Sequence, residues 1–317
     1  MNEKSILLRR VLGVVPTAVW GLVIMGVIFT SLTPSFLTLS NIANVFRSGS
    51  ILMILCMGVV VVKIIGGIDL SVGGVMTFAG MLMAWTLVNW QVPVPVAALV
   101  SLVIGAMGGF LNGFFVTRLN VPSFIATLGT QGMAIGLSLV LNNGNVIWGL
   151  PDAVKPIGHA EVVGVPVPML VSVVAFLCSF FMLRFTPLGT YMYAVGGNEE
   201  ALALSGKPVE RYKVFAFAYA GLMSGLAAIV LTSRNMAAQP TVGLGMEFEA
   251  FAAVVLGGSF VAGRGSAIET VLGVLFILVL RNGLNVVGVP TFYQLAIIGV
   301  AIISGIISST VLERTLD

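Results

Sequence analysis

Charge is the scarcest component of this sequence. Only 9% of its 317 residues are Asp, Glu, Lys or Arg, where an ordinary soluble domain carries about 25%, so water is not the main solvent of the folded chain. The net charge of +3 is small and dispersed, which leaves no basic patch for nucleic acid. The single histidine, His159, has no partners at metal-ligand spacing. The two cysteines, Cys56 and Cys178, lie inside apolar runs and read as small buried hydrophobes. No nucleophile, base or metal constellation of an enzyme can be assembled. A phosphate-binding loop is missing too: Ser205-Gly206-Lys207-Pro208 lacks both the leading glycine and the closing hydroxyl residue. An ion-coupled transporter would need ionisable groups deep in several spans, and the acidic residues here gather at span ends.

What is present is apolar length. Hydrophobic residues make up 58% of the chain and the mean hydropathy is +1.10. A hydrocarbon core ~30 Å thick needs about 20 mostly apolar residues per spanning helix. Breaking the chain at charges, prolines and glycine clusters gives spans near 11 to 30, 42 to 65, 73 to 90, 94 to 117 and 121 to 141, then 166 to 184, 213 to 233, 247 to 262, 267 to 288 and 291 to 312. The expectation is an all-α integral membrane protein of about ten helices in a single domain, residues 1 to 317. The first run is too long for a signal peptide and no small-residue cleavage site ends it, so it reads as an uncleaved span. With both termini cytoplasmic, eleven Lys and Arg residues fall inside and four (Arg47, Lys155, Arg234, Arg281) outside, as the positive-inside rule requires. Two long polar segments remain, 142 to 165 outside and 185 to 212 inside.

The two halves share weak self-similarity. Asp69-Leu70-Ser71-Val72-Gly73-Gly74-Val75-Met76-Thr77-Phe78 aligns with Gln239-Pro240-Thr241-Val242-Gly243-Leu244-Gly245-Met246-Glu247-Phe248 at an offset of 170. Asn112-Gly113 falls on Asn282-Gly283 at that same offset, and Val121-Pro122-Ser123-Phe124 matches Val289-Pro290-Thr291-Phe292 after a two-residue deletion. The offset carries the second span onto the seventh, which runs the opposite way. This predicts a five-plus-five inverted repeat, with halves near 11 to 141 and 166 to 312, and a site at the midplane that rocking exposes to either side.

Within each half a glycine-rich junction interrupts the helices, and polar backbone survives at membrane depth only where it is buried in protein or lines a cavity. In the first half Asp69 and Ser71 supply an acceptor and a donor there. Gln239, Thr241, Glu247 and Glu249 occupy the equivalent region of the second. Thr127, Thr130 and Gln131 share a face of the fifth span at spacings of three and four. These residues, Glu249 excepted, are the expected translocation pathway of a neutral polyhydroxylated solute. Asp69 also reads as a plain N-cap of the third span. Asn112 and Asn282 read as solute contacts or as interhelical hydrogen bonds between glycine surfaces.

At Gly66-Gly67-Ile68-Asp69-Leu70-Ser71-Val72-Gly73 the sequence resembles the permease family that serves bacterial ribose, xylose, galactose and autoinducer-2 importers. Phe124 to Thr130, Tyr193 to Glu200, Ala238 to Thr241, Val254 to Ser259 and Asn282 to Asn285 resemble it as well. Ala262-Gly263-Arg264-Gly265 and Lys207-Pro208 depart from the family pattern. The resemblance implies the membrane subunit of an ATP-binding-cassette importer in the bacterial inner membrane, paired with a second permease copy or a homologous permease and surrounded by lipid. It implies a periplasmic sugar-binding protein, and a cytoplasmic ATPase that uses ATP and Mg, with no cofactor on this chain. Within 185 to 212, Asn198 can cap a short helix, Glu199 and Glu200 complement its dipole, and Gly206 with Pro208 can stop it. The resemblance identifies this element, Asn198, Glu199, Glu200, Leu202 and Gly206 included, as the coupling helix seated in the ATPase. A loop helix packed on its own permease is the other reading.

Overall fold

The computed structural model describes residues 17–258 and 261–290 and, beyond them, 293–294, 296–301, 303–304 and 307. Helices α1 (Thr17–Leu32), α2 (Leu39–Ile64), α3 (Val72–Asn89), α4 (Val94–Arg118) and α5 (Ser123–Leu141) come first. A loop follows, carrying α6 (Lys155–His159) and a hairpin of β1 (Glu161–Val162) and β2 (Val165–Pro166). Then come α7 (Val167–Phe185), α8 (Pro187–Gly197), α9 (Glu199–Leu204), α10 (Val209–Asn235), α11 (Met246–Leu256) and α12 (Ala267–Val287). Seven of these, α2, α3, α4, α5, α7, α10 and α12, are long and apolar enough to cross a bilayer. The chain is a multi-pass, all-α membrane protein.

The expected span 247 to 262 is helical only over the 11 residues of α11. At 1.5 Å per residue that is about 16 Å, roughly half a hydrocarbon core. Gly257 and Gly258, the latter at φ +122°, end it. Where the expected span 291 to 312 is described, it is helical. Residues 11 to 16 of the first expected span lie outside the described residues.

Helix ends follow local chemistry. Helix α2 starts at Thr38, whose hydroxyl accepts from Asn41 N–H at 3.4 Å. It ends in a paired turn: Gly66 at φ +82° lets its N–H reach the Lys63 carbonyl and the Gly67 N–H reach that of Val62, at 3.0 and 2.9 Å, the Schellman arrangement that only glycine adopts without strain. Ser266 caps α12 by accepting from Glu269 N–H at 3.2 Å.

Small residues set the packing, because lipid offers no hydrophobic drive between helices. On α4, Ser101, Gly105 and Gly109 meet Gly221 and Gly225 of α10 so closely that a Cβ on Gly105 would lie 2.3 Å from the Gly221 carbonyl oxygen. Ser101 Oγ donates to the Gly225 carbonyl at 2.9 Å. Helix α7 turns Ser172, Ala175, Ser179 and Leu183 inward. Cys178 is off that face and exposed, which corrects its reading as buried; Cys56 is fully buried.

Candidate functional site

The chain between α2 and α3 crosses the apolar bundle without helical hydrogen bonds, and its N–H groups need partners that lipid cannot give. Helix α5 supplies two of them, for Ile68 and Leu70, and a third for Gly74 in the first turn of α3. Ser123, Thr127 and Gln131 stand four residues apart on one stripe. Ser123 Oγ accepts from Ile68 N–H at 3.1 Å, Thr127 Oγ1 from Leu70 N–H at 3.1 Å, and Gln131 Oε1 from Gly74 N–H at 2.6 Å. The fourth, Ser71 N–H, goes to Asp69 Oδ1 at 2.8 Å. That is a local Asp turn of the i to i+2 kind, so the N-cap position belongs to Ser71, whose own side chain makes no cap bond.

Behind the turn runs a buried polar chain. Asn112 Nδ2 donates to Ser71 Oγ at 2.7 Å, and Ser71 Oγ donates to Asp69 Oδ1 at 2.6 Å. Asn112 therefore makes an interhelical bond, as does Asn282, which exchanges amide hydrogen bonds with Asn41 at 2.8 and 2.9 Å. Asp69, Ser71, Asn112, Thr127, Thr130 and Gln131 are all buried. Four of their atoms have no partner among the described residues: Asp69 Oδ2, Asn112 Oδ1, Thr130 Oγ1 and Gln131 Nε2. Two acceptors, an amide donor and a hydroxyl that can do either are a set a polyol can satisfy.

The second break lies between α10 and α11. Met236 at φ +47° and Gly245 at φ +91° turn the chain, and Ala238 is held by a two-way backbone bridge to Ile147, at 2.9 and 3.0 Å. Glu247 is buried and its carboxylate accepts from Gly245 N–H at 3.1 and 3.2 Å. Gln239 is exposed and Thr241 half-buried. Glu249 is paired with Arg281 of α12.

The two breaks touch. A Cβ on Gly73 would lie 2.4 Å from both the Gly243 carbonyl oxygen and Glu247 Oε2; one on Gly243 would lie 2.1 Å from the Gly73 carbonyl oxygen and 2.5 Å from Thr77 Oγ1. Thr77 Oγ1 also accepts from Gly243 N–H at 3.0 Å. Reasoning from sequence named Asp69, Ser71, Thr127, Gln131 and Glu247 but missed Ser123, Gly73, Thr77 and Gly243. The four-residue spacing of 123, 127 and 131 and the shared offset of Gly73/Gly243 and Thr77/Glu247 were the signals available.

Below the first break a cavity of about 340 Å³ is lined by Gly66, Gly67, Ser123, Gly196, Glu199 and Lys213, among others. Helix α9 borders it. Asn198 caps α9 by accepting from Ala201 N–H at 2.9 Å, and Gly206 follows it at φ +78°. Glu199 pairs with Lys213 of α10 at 2.6 Å. Leu202 packs inward, whereas Glu200 and Ala203 are exposed and Leu204 is 84% exposed.

Residues 41–304 match a family model described as the permease component of a branched-chain amino acid transport system. The ribose import permease protein of Bacillus subtilis is 42% identical over 290 residues, 90% of each chain. That of Escherichia coli K12 is 36% identical over 291 residues, again 90% of each. The D-allose transport system permease protein of Escherichia coli K12 is 35% identical over 287 residues, 90% of this chain and 88% of the relative. No solved structure matches.

Proposed function

Since the chain belongs to this family of transport permease components, we propose that it is the membrane subunit of an ATP-driven importer carrying a monosaccharide, ribose or a close relative. The observation that carries this reading is the identity to ribose and allose permeases along nearly the full length of both chains. The subunit resides in the bacterial inner membrane among lipids, with both termini cytoplasmic, and works beside a second permease, either another copy or a homologue. A periplasmic binding protein delivers the sugar. A separate ATPase, using ATP and Mg, grips the exposed side of α9, the element built from Asn198, Glu199, Glu200, Leu202 and Gly206, with Leu202 holding it to the permease. The capped state of α9, none of whose residues is buried, supports that role, since a helix this short is marginal in water by itself.

Solute passes beside the two breaks, where Asp69, Ser71, Thr127, Thr130 and Gln131 serve the first half and Gln239, Thr241 and Glu247 the second. The unpaired atoms around Asp69 support this assignment. About ten spans form a five-plus-five inverted repeat. Its support is reciprocity: Gly73 meets Glu247 while Gly243 meets Thr77, and both pairings exchange under the offset of 170. Two-fold related segments make such paired contacts where they cross their axis.

The test is uptake by the complete importer in liposomes. Ribose or allose loaded on the binding protein should enter only with ATP and the ATPase present, and leucine should not enter. Leucine uptake without sugar uptake would overturn the choice of substrate class.

A further inference from the structure

The stem of α9, whose Met192 and Val195 are buried in the core, also meets the rest of the molecule backbone to backbone. A Cβ on Gly196, near the end of α8, would lie 1.9 Å from the Ile64 carbonyl oxygen and 2.4 Å from the Gly263 nitrogen. Gly263 N–H donates to that same Ile64 carbonyl at 2.8 Å. A Cβ on Gly263 would in turn lie 2.7 Å from the Gly197 nitrogen. Ile64 is the last residue of α2 before the first break, and its carbonyl is among those a helix leaves without an internal partner. Gly263 and Gly265 precede α12, in the second half. Tyr193, one turn before Gly196, donates its hydroxyl to the Gly265 carbonyl at 2.8 Å. Three segments thus converge: the stem of α9, the start of the first break, and the approach to α12.

We infer that Gly196 and Tyr193 are positioning residues for transport, forming a rigid junction that passes a displacement of α9 to the first break and to α12 together. This rests on α9 being the ATPase docking element. Nothing but backbone lies between Gly196 and Ile64, so no rotamer change can absorb a shift, and close-packed interiors transmit strain. The other links from α9 are softer. Glu199 and Lys213 are long side chains, with Glu199 half-exposed, and such pairs couple weakly. The requirement is local as well: a Cβ on Gly197 would meet nothing within 4 Å.

Wild type, Gly196→Ala, Gly197→Ala and Tyr193→Phe, each assembled with its ATPase and binding protein in liposomes, are to be compared by counting ribose moved per ATP hydrolysed. Gly196→Ala should lower that ratio tenfold or more with the ATPase still bound, Tyr193→Phe at least twofold, and Gly197→Ala should match wild type. A wild-type ratio in assembled Gly196→Ala overturns the junction. If that variant does not assemble, Tyr193→Phe decides, because it keeps the packing and removes one hydroxyl; an unchanged ratio then overturns the inference. Docking is read separately, by cross-linking Leu204→Cys to the ATPase in a chain freed of Cys56 and Cys178. Loss of the cross-link rejects α9 as the docking element and the junction with it, whereas a retained cross-link with unchanged ratios rejects the junction alone.

Discussion

The N–H groups of Leu70 and Ser71 in the first break are buried donors, and the side chains that receive them, with Ser123 receiving Ile68, help determine whether the break can exist in a membrane. Thr127 receives Leu70 N–H and donates its one hydroxyl hydrogen to the Ser123 carbonyl of its own helix at 2.9 Å. Thr127→Val keeps the shape and removes the oxygen, leaving a buried donor unpaired, which costs about 1–3 kcal/mol. Thermal unfolding in detergent should register that loss, and Thr127→Ser should recover most of it. Polar residues on one face of α5 were legible from spacing alone. Their partners were not, because a stripe at four-residue intervals does not reveal which neighbouring strand of backbone it meets. Ser123 was passed over for that reason: after Val121-Pro122 it looks like the start of a helix and nothing more. The reading of Asp69 as an N-cap was close, but its carboxylate closes a turn onto Ser71 two residues on.

Among the elements, the contact of α4 with α10 depends on the absence of side chains. Gly105→Ala should force the helices apart and destabilise the isolated permease by about 1–3 kcal/mol. Gly26→Ala in α1, where a Cβ meets nothing within 4 Å among the described residues, should be neutral or stabilise by about 0.5–1 kcal/mol, the helical advantage of alanine over glycine; matched melting curves test both. Helix α9 has a different dependence. Gly206 sits at φ +78°, where a β-branched residue is strained, so Gly206→Val should reach the membrane yet lose sugar uptake, checked by blotting membranes and measuring transport together. Helix existence was largely legible from apolar runs, and the cap at Asn198 from residue type. The half-length of α11 was not. The Gly257-Gly258 pair is a turn signal, but apolar residues resume after it within 247 to 262, and the run reads as one span.

In the molecule as a whole, two broken segments, one from each half of the chain, meet at a common centre. The offset of 170 was visible in the sequence, but that Gly73 and Gly243 would lie against each other was not, since similarity gives equivalence and never proximity. An experimental structure should superpose residues 11 to 141 on 166 to 312 after reversal through the membrane, with Ser71 near Thr241 and Asn112 near Asn282; halves that superpose in parallel would contradict it. The claim that solute crosses beside the first break is tested most directly at Asp69, in the complete importer, by measuring ribose uptake and ATP hydrolysis in the same vesicles. Asp69→Ala should assemble, keep its ATPase activity and move no ribose, whereas uptake at the wild-type rate by the assembled variant would contradict the account.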